Sequence, residues 1–171
     1  MGRAIVFVVV LLAGLPALAD SLADLLAAKR CPLDAQLRAV HDRPSAFKER
    51  DRFLVISVKQ HPQWYVQCMF AANRTKLYCE ASSGYYAERA ETPRTTYLSP
   101  DSTAALARLG FAIGAAEKNF SYERELTVKP DFDAIATFML TVLHDGYGVG
   151  AETELETIAP FSGNLVVACR R

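Results

Sequence analysis

The stretch "QWYVQCMFAANRTKLYCEAS", residues 63–82, restricts the fold more than any other part of the chain. Trp64, Val66, Cys68 and Phe70 alternate with Tyr65, Gln67 and Met69, and a second arm alternates Leu77, Cys79 and Ala81 with Lys76, Tyr78 and Glu80. A period of two is that of a strand, so the two arms are predicted to form a β-hairpin. With Asn73 and Arg74 at its tip, Phe70 faces Leu77 and Cys68 faces Cys79. Directly opposed Cβ atoms on antiparallel strands lie within disulfide range, so a bridge between Cys68 and Cys79 is expected on the apolar side of the hairpin. Two separate buried thiols are the alternative, and they suit a reducing compartment better than an oxidising one.

The compartment follows from the N-terminus. "MGRAIVFVVVLLAGLPALAD" places one cation, Arg3, before an apolar run from Ala4 to Leu12, then a break at Gly14 and Pro16 and small residues at Ala17 and Ala19. This is the pattern of a secretory signal peptide over residues 1–19, with cleavage expected between Ala19 and Asp20. The continuous run is shorter than the roughly 20 apolar residues of a spanning helix. The mature chain, residues 20–171, is thus expected to be exported, periplasmic or secreted, and to leave the membrane once cleaved. Removing Arg3 leaves 18 Lys and Arg against 19 Asp and Glu. Near-neutrality without a basic stripe argues against nucleic acid as a partner. All four cysteines (Cys31, Cys68, Cys79 and Cys169) lie in the exported part. Pairing Cys68 with Cys79 leaves Cys31 for Cys169, which would tether the two ends of the domain.

Residues 20–30 and 33–41 each carry a helical apolar stripe (Leu22, Leu25 and Leu26; Leu33, Leu37 and Val40), and two short helices separated at "CP" are expected. "FLVISVKQ" reads as a strand leading through "HPQ" into the hairpin, which makes a three-stranded antiparallel meander. Residues 82–95 read as a loop, with a short strand near Tyr97. In "SPDSTAALARLGF", Ser99 suits a helix N-cap, Pro100 the first helical position and Gly110 the C-terminal cap. Extended pieces are expected at 111–113 and 120–128. "PDFDAIATFMLTVLHDGYGV" is the clearest helix, with Phe132, Ile135, Ala136, Met139, Leu140 and Leu143 on its buried stripe and Gly146 at its end. The tail carries strand-like runs at 155–158 and 165–168. The expected fold is a single α+β domain over residues 20–171, with an antiparallel sheet and helices on one face, in the order α-β-β-β-α-β-β-α plus a C-terminal extension.

That order, together with "LARLGF", "KNFSYERELT" and "DFDAIATFMLTVLHDGYGV", resembles the YbjN-like family, whose fold is similar to that of type III secretion chaperones. The matching positions are Leu106, Leu109, Gly110 and Phe111, then Asn119 and Phe120, then Tyr147 and Gly148. The resemblance spans roughly residues 53–149 and implies a domain that binds peptides or dimerises through its exposed surfaces. The signal peptide and the four cysteines depart from the cytosolic chaperone pattern.

Catalytic signatures are scarce. The chain contains no G-x-S-x-G, no P-loop, no dinucleotide-binding glycine motif and no H-E-x-x-H, and its three histidines are far apart in sequence. His144-Asp145 falls at a helix end, where a histidine is favourable beside the C-terminal dipole. Glu123 and Glu125 flank Arg124 on a strand and read as solvated. Asn73-Arg74-Thr75 and Asn119-Phe120-Ser121 both match the glycosylation sequon. No cofactor, metal or catalytic residue is expected. The side of the hairpin away from the cysteines carries Tyr65, Met69 and Tyr78, residue types enriched at interfaces. These three are the candidate binding residues for a protein or peptide partner, or for a second copy in a homodimer. The alternatives are burial of the three under another part of the chain, an exported inhibitor of a foreign enzyme, and a small hydrolase without a recognisable motif.

Overall fold

The computed structural model describes residues 21–44, 46–86, 98–114, 118–161 and 169. The expected signal peptide, the strand near Tyr97 and the run at 165–168 lie outside these residues. Helix α1 covers Leu22–His41, strands β1, β2 and β3 cover Phe53–Val58, His61–Ala71 and Lys76–Ala81, and helix α2 covers Pro100–Arg108. Strand β4 (Phe120–Glu125), helix α3 (Phe132–Tyr147) and strand β5 (Leu155–Ile158) complete the order. The strands form one antiparallel sheet in the order β4-β3-β2-β1-β5, with the helices on one face, so the α+β architecture is the expected one.

The hairpin register follows the period-two reading: Phe70 opposes Leu77 and Cys68 opposes Cys79. The Cys68 and Cys79 sulfurs are 2.08 Å apart across a Cα separation of 4.1 Å, and those of Cys31 and Cys169 are 2.11 Å apart. The tip is turned by three consecutive residues with positive φ, Ala72, Asn73 and Arg74, at 48°, 56° and 72°. Asparagine tolerates this region better than most residues with a Cβ. Leu54, Ile56, Val66, Cys68, Phe70, Leu77, Cys79 and Ala81 form the buried side of the sheet. Their helical partners are Leu25, Leu33, Leu37 and Val40 of α1 and Ile135, Ala136, Met139, Leu140 and Leu143 of α3. Burying a side chain of this kind contributes on the order of 2 kcal/mol.

Three local expectations are corrected. The first two helices are one: α1 runs through Pro32, with Ser21 and Asp24 forming a reciprocal capping box at its start. A proline inside a helix costs about 3 kcal/mol, and here the buried stripe continues unbroken from Leu25 across it to Leu33, Leu37 and Val40. Shared burial against α3 therefore outweighs the lost hydrogen bond. The stretch at 111–113 contributes a single bridge, Ala112 to Ser121, and no strand of its own. Helix α3 passes Gly146 and ends at Tyr147, where Gly148 takes the left-handed cap at φ 70°. The expected strand-like run at 155–158 is β5, which joins the sheet at the β1 edge by pairing Val55 with Ile158 and Val58 with Leu155.

Candidate functional site

With the helices on one side, the opposite face of the sheet is built from the alternate residues of every strand. Across it, Phe53 opposes Met69, Met69 opposes Tyr78 and Tyr78 opposes Glu123. A second row runs from Ile158 through Val55 and Gln67 to Glu80 and Ser121, and a third joins Glu156, Ser57 and Tyr65. Neighbouring strands are about 4.8 Å apart. The apolar side chains Ile158, Val55, Phe53 and Met69 gather on its β5-β1-β2 side together with Glu156, while its β3-β4 side carries Tyr78 and Lys76 with Glu80, Glu123 and Glu125. Phe53, Val55, Tyr65, Met69 and Tyr78 are all half-buried, and Ile158 is 54% exposed.

The three candidate residues therefore share one face, but they are held differently. The Tyr65 hydroxyl accepts a hydrogen bond from the Asn119 side-chain amide at 2.7 Å, and the Asn119 carbonyl oxygen accepts from the Ser83 backbone N–H at 3.4 Å. Asn119 thus ties the β2 tyrosine to the entry of β4 and the exit of β3. Burial and the nearby Glu80 carboxylate push the Tyr65 hydroxyl pKa up, against the opposing effect of the Asn119 bond. Sequence reasoning noted Asn119 only as a family position and a sequon; its role as a clamp rests on a partner 54 residues away. Tyr78 donates to the Glu80 carboxylate at 3.0 Å, and its pKa is raised by burial first and then by that bond and the charges of Glu80 and Glu123. Met69 lies between Phe53 and Tyr78 in the row, a flexible thioether flanked by two rings. Lys76 closes the acidic side, 2.7 Å from Glu123 and 3.5 Å from Glu125, which hold its ammonium pKa above the usual range.

A separate cleft of about 470 Å³ opens at the end of the sheet, between the β1–β2 turn and the segment after α3. His61 stacks on Trp64 within it at 4.4 Å, and Val149, Glu152 and Thr153 line the opposite wall. The histidines are dispersed: His41 contacts its neighbour Asp42 at 2.7 Å and His144 its neighbour Asp145 at 2.6 Å, each at a helix C-terminus. Among the described residues no group of three or more His, Cys, Asp or Glu could hold a metal ion, and no helix is long and apolar enough to cross a membrane. Glu123 and Glu125 share Lys76 and so form an ion-pair network rather than a coupled acid and base.

The model of the TY-Chap3 family, described as T3SS (YopN, CesT) and YbjN peptide-binding chaperone 3, matches residues 17–160. The chain belongs to this family. Neither a curated protein nor a solved structure matches it. The TY-Chap3 match extends beyond the span of the YbjN-like resemblance at both ends. It takes in α1, whose Pro32 suggests two helices, and β5, the strand at the β1 edge of the sheet.

Proposed function

We propose that this TY-Chap3 domain is exported and acts as a chaperone-like binder of peptide segments, without catalysis, through the open sheet face bearing Tyr65, Met69 and Tyr78. The observation that carries this reading is the composition of that face. A row of half-buried aromatic, thioether and aliphatic side chains lies opposite the helix-covered side of a five-stranded sheet. An apolar row of this kind gains by covering, and a peptide laid on it would bury Met69 and the Tyr78 ring against its own apolar side chains. The family's peptide-binding description supports the peptide-binding part of this reading.

The test begins with an array of overlapping peptides from exported proteins, followed by fluorescence anisotropy on the tightest. Met69→Ala and Tyr78→Ala are each expected to weaken binding by about 1 to 2 kcal/mol, the cost of truncating an interface anchor. Tyr65→Ala also removes the Asn119 contact, so its effect combines affinity with stability. Unchanged affinity in both Met69→Ala and Tyr78→Ala, with the fold retained, would place binding elsewhere. Export is tested by N-terminal sequencing of the protein recovered outside the cytoplasm, with Asp20 expected as the first residue.

A further inference from the structure

We infer that the peptide accepted by the open face is cationic, with apolar anchors next to Lys or Arg, an inference that rests on the binding role proposed for that face. The chain as a whole has 19 Lys and Arg against 19 Asp and Glu, so no general acidity biases its surfaces. The face departs from this balance. Among the described residues its strand positions carry four carboxylates, Glu80, Glu123, Glu125 and Glu156, and one ammonium, Lys76. Lys76 is already engaged by Glu123 and Glu125, and Lys59, in the β1–β2 turn at the other end of the sheet, is paired with Glu154 at 3.1 Å. Glu80, half-buried, receives only the Tyr78 hydroxyl among the described contacts, and one hydrogen bond leaves most of the acceptor capacity of a carboxylate open.

The arrangement is directional. Three of the carboxylates lie on the β3-β4 side, one or two strand spacings from Met69, or roughly 5 to 10 Å. A side chain of Lys or Arg spans that distance from a backbone whose apolar neighbour sits over Met69 and Phe53, with its methylene stem lying along the Tyr78 ring. Cations over a tyrosine face gain a further attraction. An anionic peptide would instead bring like charges against Glu80 and Glu123, which works against binding as strongly as the cationic one is favoured.

Three labelled peptides with the same apolar anchors test this: one flanked by lysines, one by glutamines and one by glutamates. On the intact disulfide-bonded domain, the lysine peptide should bind at least tenfold more tightly than the glutamate peptide, and its advantage should shrink between 50 and 500 mM salt as screening grows. In Glu80→Gln/Glu123→Gln/Glu125→Gln, the amides still accept hydrogen bonds, so the fold should be kept. There the lysine peptide should lose about tenfold, on the usual strength of exposed ion pairs, while the glutamine peptide is unaffected. If all three peptides bind alike and Tyr78→Ala weakens them equally, the charge inference falls and the binding face stands. Should none bind, or should Tyr78→Ala leave binding intact, the face itself is wrong. Peptide-independent dimerisation in sedimentation, abolished by the triple glutamine variant, would make a second copy the occupant and overturn the proposal.

Discussion

Gly146→Ala separates two opposing effects that the structure sets against each other at one atom. Gly146 is in the last turn of α3, and a Cβ built on it would lie 2.7 Å from Leu106 Cδ2 and 3.2 Å from Leu106 Cγ. Leu106 is a fully buried residue of α2 that faces α3, so it has no solvent to move into. Replacing a helical glycine by alanine gains about 1 kcal/mol of helix propensity. Forcing a methyl group into a filled core costs about 1 to 3 kcal/mol. Overpacking therefore wins, and the single variant should be less stable by roughly 1 kcal/mol on these two principles. In a Leu106→Ala background, itself down by about 2 to 5 kcal/mol, the clash is gone and only the propensity gain remains. The sign should reverse, with a coupling of about 2 kcal/mol between contacting sites. Urea denaturation of the four proteins, followed by far-UV circular dichroism with disulfides intact, measures the cycle. Equal stabilisation by Gly146→Ala in both backgrounds would show that the helices tolerate a wider spacing and would refute the reasoning. Gly148→Ala is the internal contrast: its Cβ would meet nothing within 4 Å, but its φ of 70° costs an alanine about 1 kcal/mol whatever occupies position 106.

Tyr147 donates a buried hydrogen bond to the Ser82 carbonyl at 2.7 Å, and burial holds its hydroxyl pKa far above the ordinary range. Tyr147→Phe strands that carbonyl and should cost about 1 to 2 kcal/mol in urea denaturation; a neutral result would mean that water replaces the phenol. By the chain-entropy relation, removing Cys31–Cys169, which spans 138 residues, should cost about 5 kcal/mol, and removing Cys68–Cys79, which spans 11, about 3. Paired serine variants compared in the same assay would reverse this order if the Cys31–Cys169 tether acts on a part of the chain that unfolds separately. Lys76 is raised above its usual value of 10.5, first by its hydrogen bond to Glu123 and then by the Glu123 and Glu125 charges. A pKa higher in the folded state stabilises fully below the unfolded value and is lost as pH rises through the folded one. Lys76→Met should accordingly flatten the alkaline limb of stability above about pH 10.5, and parallel curves for the two proteins would exclude the ion pair as a contributor.

What the sequence carried and what it withheld divide along the range of the interactions involved. Period-two alternation is local, so it showed the hairpin register, the opposition of Cys68 and Cys79, and the common face of Tyr65, Met69 and Tyr78. The helix starts were equally local, because Ser99 and Asp131 accept hydrogen bonds from the backbone three residues on. Where the reading failed, a distant partner decided. Pro32 would end an isolated helix, but α1 continues because Leu33, Leu37 and Val40 share with Leu25 a surface supplied by α3, about a hundred residues later. Gly146 looked like a cap because a glycine near a helix end commonly is one. Only the position of Leu106 shows that it is a close-packing residue, and that Gly148, two positions on, makes the turn. Strand β5 alternates too weakly to be assigned to an edge, since Glu156, Thr157 and Ile158 are all exposed even where they pair with β1. The same distinction governs the binding face. Alternation identifies which side chains point away from the core, but the separation of Ile158 and Phe53 from Glu80 and Glu123 exists only after five strands take the order β4-β3-β2-β1-β5. A partner reads that two-dimensional pattern, so recognition here is a property of strand order as much as of any residue within a strand.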